Sequence, residues 1–152
     1  MYGTVYGSDT GHVVATELLR QRWVNLAEAA EPLSFARAQV RQTLDGRASA
    51  SAVDDAVLVA SELVGNALRH TAVGPDCMNV EVYLGIAVLW VHDAGTDTEC
   101  VRPTEKTSND DLLESGRGLH LVDRLTAKWF VKPTAIGKAV VAVVALDDRG
   151  VM

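Results

Sequence analysis

Residues 61–71 read Ser-Glu-Leu-Val-Gly-Asn-Ala-Leu-Arg-His-Thr and end a strongly helical run that begins near Ser51. An α-helix repeats about every 3.6 residues, so the polar side chains of this stretch share one stripe: Glu62, Asn66, Arg69 and His70. The apolar positions form a second stripe that is expected to face a core: Val57, Ala60, Val64, Ala67 and Leu68. The stretch therefore predicts an amphipathic helix. Taken by itself, its polar stripe is more simply explained as a solvated surface.

Both ends of this helix carry recognisable signals. Ser51 and Asp54 predict a capping box, with Asp54 and Asp55 in the first turn, where the helix dipole favours negative charge. Gly74-Pro75 breaks the pattern. We therefore expect the central helix to span about residues 51–71.

Composition predicts a single folded domain over residues 1–152. Hydrophobic residues make up 48% and charged residues 22% of the chain, which is ordinary for a globular protein. The net charge is −6 and no Lys/Arg cluster occurs, so nucleic-acid binding is not expected.

The sequence also predicts a cytoplasmic protein without a membrane span. The longest uninterrupted apolar run, from Ala139 to Leu146, is far shorter than the roughly 20 residues of a membrane helix. No basic and then apolar segment marks a secretory signal at the N-terminus. Cys77 and Cys100 lack metal-type spacing and are expected to be free thiols.

Hydrophobic periodicity predicts the element order β, α, α, β, β, lid, α, β, β. The predicted strands span 20–26, 78–84, 86–92 and a closing hairpin over 130–146, whose turn lies at 133–137. A helix over 32–44 precedes the central one, and Leu119, Val122, Leu125 and Trp129 mark another. Residues 1 to about 15 are expected to lack regular structure. This order predicts an α+β two-layer sandwich, with a mixed, mostly antiparallel sheet, helices on one face and a pocket between the layers.

Two features suggest a binding function. Asp93 ends a strand on a face that is otherwise apolar, so its carboxylate either reaches solvent or has a hydrogen-bonding task. Residues 96–115 form a long polar segment, and such segments are typical of mobile lids and binding loops.

A glycine-containing turn follows that segment. Gly116-Arg117-Gly118 stands before Leu119 at a helix start, an arrangement that can bind phosphate through backbone amides. Alone it is more often simple turn geometry. It lacks the Gly-Lys-Ser/Thr ending of a P-loop.

In this order, the stretch Ser61–His70, Asp93-Ala94-Gly95 and Gly116-Arg117-Gly118-Leu119 resemble the ATP-binding module of the GHKL superfamily. That superfamily includes gyrase, heat-shock chaperone, histidine-kinase and mismatch-repair ATPases. Within it, the chain most resembles the short anti-sigma-factor kinases of bacteria, over about residues 32–146. The resemblance implies the same two-layer fold and the ligands ATP and Mg²⁺.

The resemblance also implies roles for single residues. Asn66 matches the Mg²⁺ ligand, and Glu62 the general base. Asp93 matches the aspartate that accepts a hydrogen bond from the adenine amino group. The remaining matches lie around the base and the phosphates: Gly95 beside the base, Arg69 near the phosphates, and Gly116, Arg117, Gly118 and Leu119 in the second glycine box.

Three positions depart from the family pattern. Asp97 stands where a second glycine is expected, Phe130 stands where many relatives have glycine, and Ala139 stands where a hydroxyl residue usually supports the adenine aspartate. These departures favour nucleotide binding over turnover.

The remaining histidines and tryptophans have simpler explanations. His70 is expected to cap or pack at its helix end, while His92 and His120 are expected to be ordinary strand and helix residues. A zinc site of these histidines is an alternative, although no pair shows a local metal spacing. The tryptophans are expected in a core or an interface: Trp23, Trp90 and Trp129.

Three functions follow as hypotheses. The first is a Mg-ATP-dependent serine-protein kinase that phosphorylates a small anti-anti-sigma partner and sequesters a sigma factor, with homodimerisation possible. The second is a binding module switched by nucleotide without phosphoryl transfer. The third is a scaffold that has lost nucleotide binding.

Overall fold

The computed structural model describes residues 2–4, 15–71, 73–94 and 117–146. In chain order the described elements are β1 Tyr2–Thr4, β2 Ala15–Glu17, β3 Arg20–Asn25, α1 Pro32–Leu44, α2 Ala50–His70, β4 Pro75–Tyr83, β5 Ile86–Asp93, α3 Arg117–Leu125, β6 Lys128–Thr134 and β7 Gly137–Ala145. The segment 96–115, expected to be a lid, lies outside the described residues.

A five-stranded sheet of order β3-β4-β5-β7-β6 forms one layer of the molecule. Each neighbouring pair of its strands is antiparallel. The helices α1, α2 and α3 pack on one face of this sheet and on each other. The predicted α+β sandwich is therefore confirmed, and its five-stranded sheet is antiparallel throughout.

The main core lies between this sheet face and the helices. Alternate residues of each strand point the same way, so aligned positions across the sheet supply one apolar surface. One such row contains Val24, Met78, Val91 and Val140. All four are buried in one cluster with α2 residues such as Leu63, which is 1% exposed. This packing fixes which face of α2 turns inward.

The start of α2 differs from the prediction, and its inner face agrees with the prediction except at Leu68. Ser49, not Ser51, is the N-cap, and its side chain accepts a hydrogen bond from the Ala52 amide at 3.1 Å. No acidic residue lies in the first turn. Four of the five residues predicted for the inward stripe are buried in the core, namely Val57, Ala60, Val64 and Ala67. Leu68 is 41% exposed, and Leu63 joins the stripe. Helical periodicity alone does not fix where the buried stripe is centred, because the position of the sheet decides it.

Two further boundaries differ from the prediction. Trp129 lies in β6, because α3 ends at Leu125 and Thr126 turns its hydroxyl back to the Val122 carbonyl at 2.8 Å. Leu84 lies in the turn between β4 and β5 and is 84% exposed. Gly85 beside it has a φ of 84°, a conformation that favours glycine.

The opposite face of the sheet carries a smaller apolar cluster of five buried residues: Tyr83, Val88, Ala139, Val141 and Val143. Trp90 packs against this cluster, and Trp129 lies in the main core. Trp23 is 66% exposed, so of the two expected places, a core or an interface, the core does not hold for that residue.

Near the N-terminus, β1 and β2 pair as a separate two-stranded antiparallel sheet. Regular structure was not expected there. None of the helices in the described parts of the chain is both long and apolar enough to cross a bilayer.

Candidate functional site

A cleft opens between the C-terminal half of α2 and the adjoining ends of β5 and β7. It is narrow in this structure, with a volume of about 10 Å³, the room of about one water molecule. Its lining residues come from these elements and the residue after α2: Leu63, Asn66, Ala67, His70, Thr71, Val91, Asp93, Lys138 and Val140. Asn66 and Asp93, which are far apart in the chain, thus lie on the walls of one cleft.

The α2 wall of this cleft holds polar atoms without partners. Asn66 is 3% exposed, and its Oδ1 atom has no hydrogen-bond partner among the described residues. The same holds for Nε2 of His70, one turn later. A buried polar atom that stays unpaired costs about 1–3 kcal/mol, so such atoms usually belong to a site that a ligand or water completes. His70 was expected to cap or pack at the helix end; it is the last residue of α2, and it lines the cleft there.

The strand wall holds a buried ion pair. Lys138 Nζ donates to Asp93 Oδ1 at 3.1 Å, and both side chains are 2% exposed. The residues face each other in the β5–β7 register. Asp93 therefore does not reach solvent past the strand end, which leaves the hydrogen-bonding alternative.

Lys138 was not predicted as a site residue. The apolar run of the last strand begins one residue later, at Ala139, and a lysine before such a run is usually a solvated flank. The informative signal was period two, which puts Lys138 on the same face as Val140. Ala139 pairs with His92 in the register and lies in the apolar cluster on the opposite face. Lys138, and not the residue after it, supports Asp93.

Gly137 makes this approach of β7 to β5 possible. A Cβ atom at this position would lie 2.0 Å from the Asp93 carbonyl oxygen and 2.7 Å from the Ala94 Cα. Both are backbone atoms that cannot swing aside. Only glycine fits here. Because glycine has no side chain, the end of β5 can lie directly against the start of β7.

Comparison with known families agrees with this geometry. The family model of the histidine kinase-like ATPase domain matches residues 25–144. The chain belongs to this family. None of the curated proteins matches it. Membership confirms the superfamily resemblance and makes ATP the implied ligand. Asn66 Oδ1, which has no partner among the described residues, and the Asp93 carboxylate line the same cleft, and this arrangement fits such a ligand.

Other residues that the sequence singled out in this ATPase domain lie around the cleft rather than in its wall. Glu62 is half-buried, one turn before Asn66 on α2. Arg69 is exposed, and its guanidinium folds back beside Gly65, where Nη1 would lie 3.3 Å from an added Cβ atom. Among the described residues, Glu62 and Arg69 therefore do not line the cleft.

The glycine motifs of the ATPase domain are described only in part. The backbone of Arg117, Gly118 and Leu119 forms the first turn of α3, and α3 packs against α2. Three of the singled-out residues lie outside the described residues: Gly95, Asp97 and Gly116.

The zinc alternative does not hold for the described residues. His92 lies on the sheet face opposite to His70, where its Nδ1 is 3.0 Å from Asp76 Oδ2 and its Nε2 is 2.9 Å from Thr134 Oγ1. No group of three or more His, Cys, Asp or Glu side chains in the described ranges is placed to hold a metal ion.

Proposed function

We propose that this ATPase domain binds Mg-ATP in the cleft and acts as a serine-protein kinase of the anti-sigma type. The observation that carries the proposal is the joint presence, in one cleft, of the unpartnered Asn66 Oδ1 and the buried Asp93 carboxylate. The Asn66 oxygen suits a metal ion bound to phosphate, and the Asp93 carboxylate suits the purine base. A site for Mg-ATP requires both groups.

In this proposal Asp93 binds the base. Its carboxylate is 2% exposed and is fixed from one side by Lys138. A buried carboxylate accepts hydrogen bonds strongly, so the amino group of adenine is a suitable donor. Gly137 supports this role because the strand ends that carry Asp93 are held in backbone contact.

Asn66 is proposed to hold the metal. An amide oxygen is a neutral ligand that suits Mg²⁺ when phosphate oxygens complete its coordination. When bound, Mg²⁺ neutralises charge on the phosphates. Arg69 and the backbone amides of Gly116, Arg117, Gly118 and Leu119 are proposed to lie along the phosphates, with Gly95 beside the base.

Glu62 is proposed to be the general base. It is half-buried and lies four residues before Asn66, which places the two side chains on the same helix face. Its carboxylate would take the proton from the seryl hydroxyl of the protein substrate as that oxygen attacks phosphorus.

The proposed protein substrate is a small anti-anti-sigma protein, and the proposed regulated partner is a sigma factor. This part rests on the resemblance of residues 61–71 to the anti-sigma kinases. A homodimer is proposed on the same ground.

A second candidate function is nucleotide-switched binding without phosphoryl transfer. It is favoured by Asp97, which stands where the family has a glycine. In that case ATP and ADP would change partner affinity and no phosphoprotein would form.

Calorimetry with Mg-ATP tests the first step. Wild type is expected to bind, and Asn66→Ala is expected to lose binding while Asn25→Ala, an exposed asparagine outside the cleft, keeps it. Absence of heat with wild type at millimolar Mg-ATP would leave only the scaffold hypothesis.

Transfer from labelled ATP to an anti-anti-sigma protein tests the second step. Glu62→Gln is expected to bind ATP and to lose transfer by about 100-fold or more, whereas Glu28→Gln, an exposed control, transfers normally. Equal transfer by Glu62→Gln and wild type would reject Glu62 as the base. Partner binding that depends on nucleotide, without labelled product, would select the second candidate function.

A further inference from the structure

We propose that Lys138 reads the base together with Asp93: its ammonium donates to N1 of adenine while the Asp93 carboxylate accepts from the adjacent amino group. This inference rests on the proposed nucleotide site and adds a specificity-determining residue to it.

The hydrogen-bonding capacity of Lys138 is the first reason. A lysine ammonium has three donors and no acceptor. Among the described residues its Nζ atom makes one hydrogen bond, to Asp93 Oδ1, although the side chain is 2% exposed. A buried ammonium with one partner is costly, because the lost hydration is only partly replaced. Ligand acceptors would complete its hydrogen bonding.

The direction of the side chain is the second reason. Lys138 lies on the sheet face that turns toward α2, and it lines the cleft beside Asn66 and His70. Long lysine side chains usually carry their ammonium out to water. Here the strand pairing keeps Lys138 opposite Asp93, so the charge stays within the cleft.

The chemistry of the purine edge is the third reason. Adenine presents a donor, its amino group, next to an acceptor, ring N1. Lys138 and Asp93 present a donor and an acceptor whose polar atoms are 3.1 Å apart, the spacing of a hydrogen-bonded pair. Hypoxanthine reverses the edge, with an oxygen in place of the amino group and a proton on N1. The oxygen of hypoxanthine would face the Asp93 carboxylate, and its N1–H would face the Lys138 ammonium. Both residues therefore discriminate against hypoxanthine.

A purely structural role for Lys138 predicts something different. If the ammonium only neutralised the Asp93 carboxylate, it would make no hydrogen bond to N1. Removal of the N1 acceptor would then cost no affinity through Lys138. The decisive comparison is therefore between ligands that differ at N1 alone.

The experiment measures ADP and 1-deaza-ADP, in which C–H replaces N1, by calorimetry with wild type and with Lys138→Met. Wild type is expected to bind the analogue about 10- to 100-fold more weakly than ADP, the usual effect of a hydrogen bond to a charged group. Lys138→Met is expected to bind the two ligands equally. IDP is expected to bind wild type more weakly than 1-deaza-ADP does.

Two results would overturn the inference. One is equal affinity of wild type for ADP and 1-deaza-ADP, which needs no variant and so holds even if Lys138→Met does not fold. The other is a loss with the analogue that persists unchanged in Lys138→Met. Absence of ADP binding to wild type is a different outcome, because it rejects the proposed nucleotide site itself.

Circular dichroism and thermal unfolding check that Lys138→Met is folded. If it is not, wild type alone decides, through its affinities for ADP and 1-deaza-ADP.

Discussion

Lys138 Nζ lies 3.1 Å from Asp93 Oδ1, and the two residues are directly paired across β7 and β5. Both are buried in the strand wall of the cleft that Asn66 also lines. The pair places two opposite charges at a strand end that is otherwise apolar, and each charge compensates the other. It links the stability of the sheet to the chemistry of the site.

Removal of one partner of this pair is expected to destabilise the fold. Lys138→Met should lower the free energy of unfolding by about 3–5 kcal/mol, because it leaves the Asp93 carboxylate buried without its counter-charge. Urea unfolding followed by circular dichroism measures the change. Replacement of both residues, in Asp93→Leu with Lys138→Met, should recover most of the loss, and a double variant no more stable than Lys138→Met would contradict this account.

Asn66 and Asn79 are both buried, each 3% exposed, and can therefore be compared. Asn79 bonds to Gln21 and Glu81, at 3.3 and 3.1 Å, whereas Asn66 Oδ1 has no partner among the described residues. Asn79→Ala should therefore lower the free energy of unfolding by about 1–3 kcal/mol, and Asn66→Ala by less than about 1 kcal/mol. Thermal unfolding measures both. Mg-ATP binding should show the reverse order of sensitivity, and a greater loss of stability in Asn66→Ala would indicate a structural role.

Gly137 is expected to tolerate no side chain. Gly137→Ala should lower the free energy of unfolding by about 3 kcal/mol and weaken nucleotide binding, because the added Cβ meets the backbone at Asp93 and Ala94. Gly65→Ala is the control. Its Cβ would contact only the guanidinium of Arg69 at 3.3 Å, and alanine favours helix, so its stability should stay within about 1 kcal/mol of wild type. Chemical unfolding measures the free energy of unfolding of both variants. Equal values would contradict the close approach at Gly137.

Cys77 is expected to react slowly with alkylating agents. Burial raises the pKa of the Cys77 thiol, and the Asp76 carboxylate beside it adds to the rise. Because the folded pKa is raised above the unfolded value, this group's contribution to stability is present below pH 9.0 and is lost as the pH rises further. In a Cys100→Ser background, iodoacetamide should modify Cys77 more slowly than the same thiol in urea.

Asp76→Asn in that background should increase the alkylation rate at a fixed pH, because it removes the negative charge that disfavours the thiolate. Glu17→Gln, an exposed carboxylate on β2, serves as the control. If both substitutions leave the rate unchanged, the charge of Asp76 has no effect on the thiol.

Local pattern was sufficient for much of the fold. The 3.6-residue period identified α1 and α2, and the period of two identified β4 and β5, because each pattern depends only on which neighbours share a face. It failed at boundaries such as Ser49 and Trp129, where the true end depends on a cap or on a neighbouring strand. The glycines and polar residues that carry the resemblance also predicted that Asn66 and Asp93 belong to one site.

The sequence by itself thus determined the helix that bears Asn66, the strand that ends in Asp93 and the α+β class of the fold. Only the tertiary structure decided that Lys138 supports Asp93, that Ala139 points to the other face and that His70 lines the cleft. These facts depend on the register of β7 against β5 and on the seat of α2 above them. Register is a pairing between segments distant in the chain, and a shift of one residue exchanges the two faces of a strand, so no local pattern fixes it.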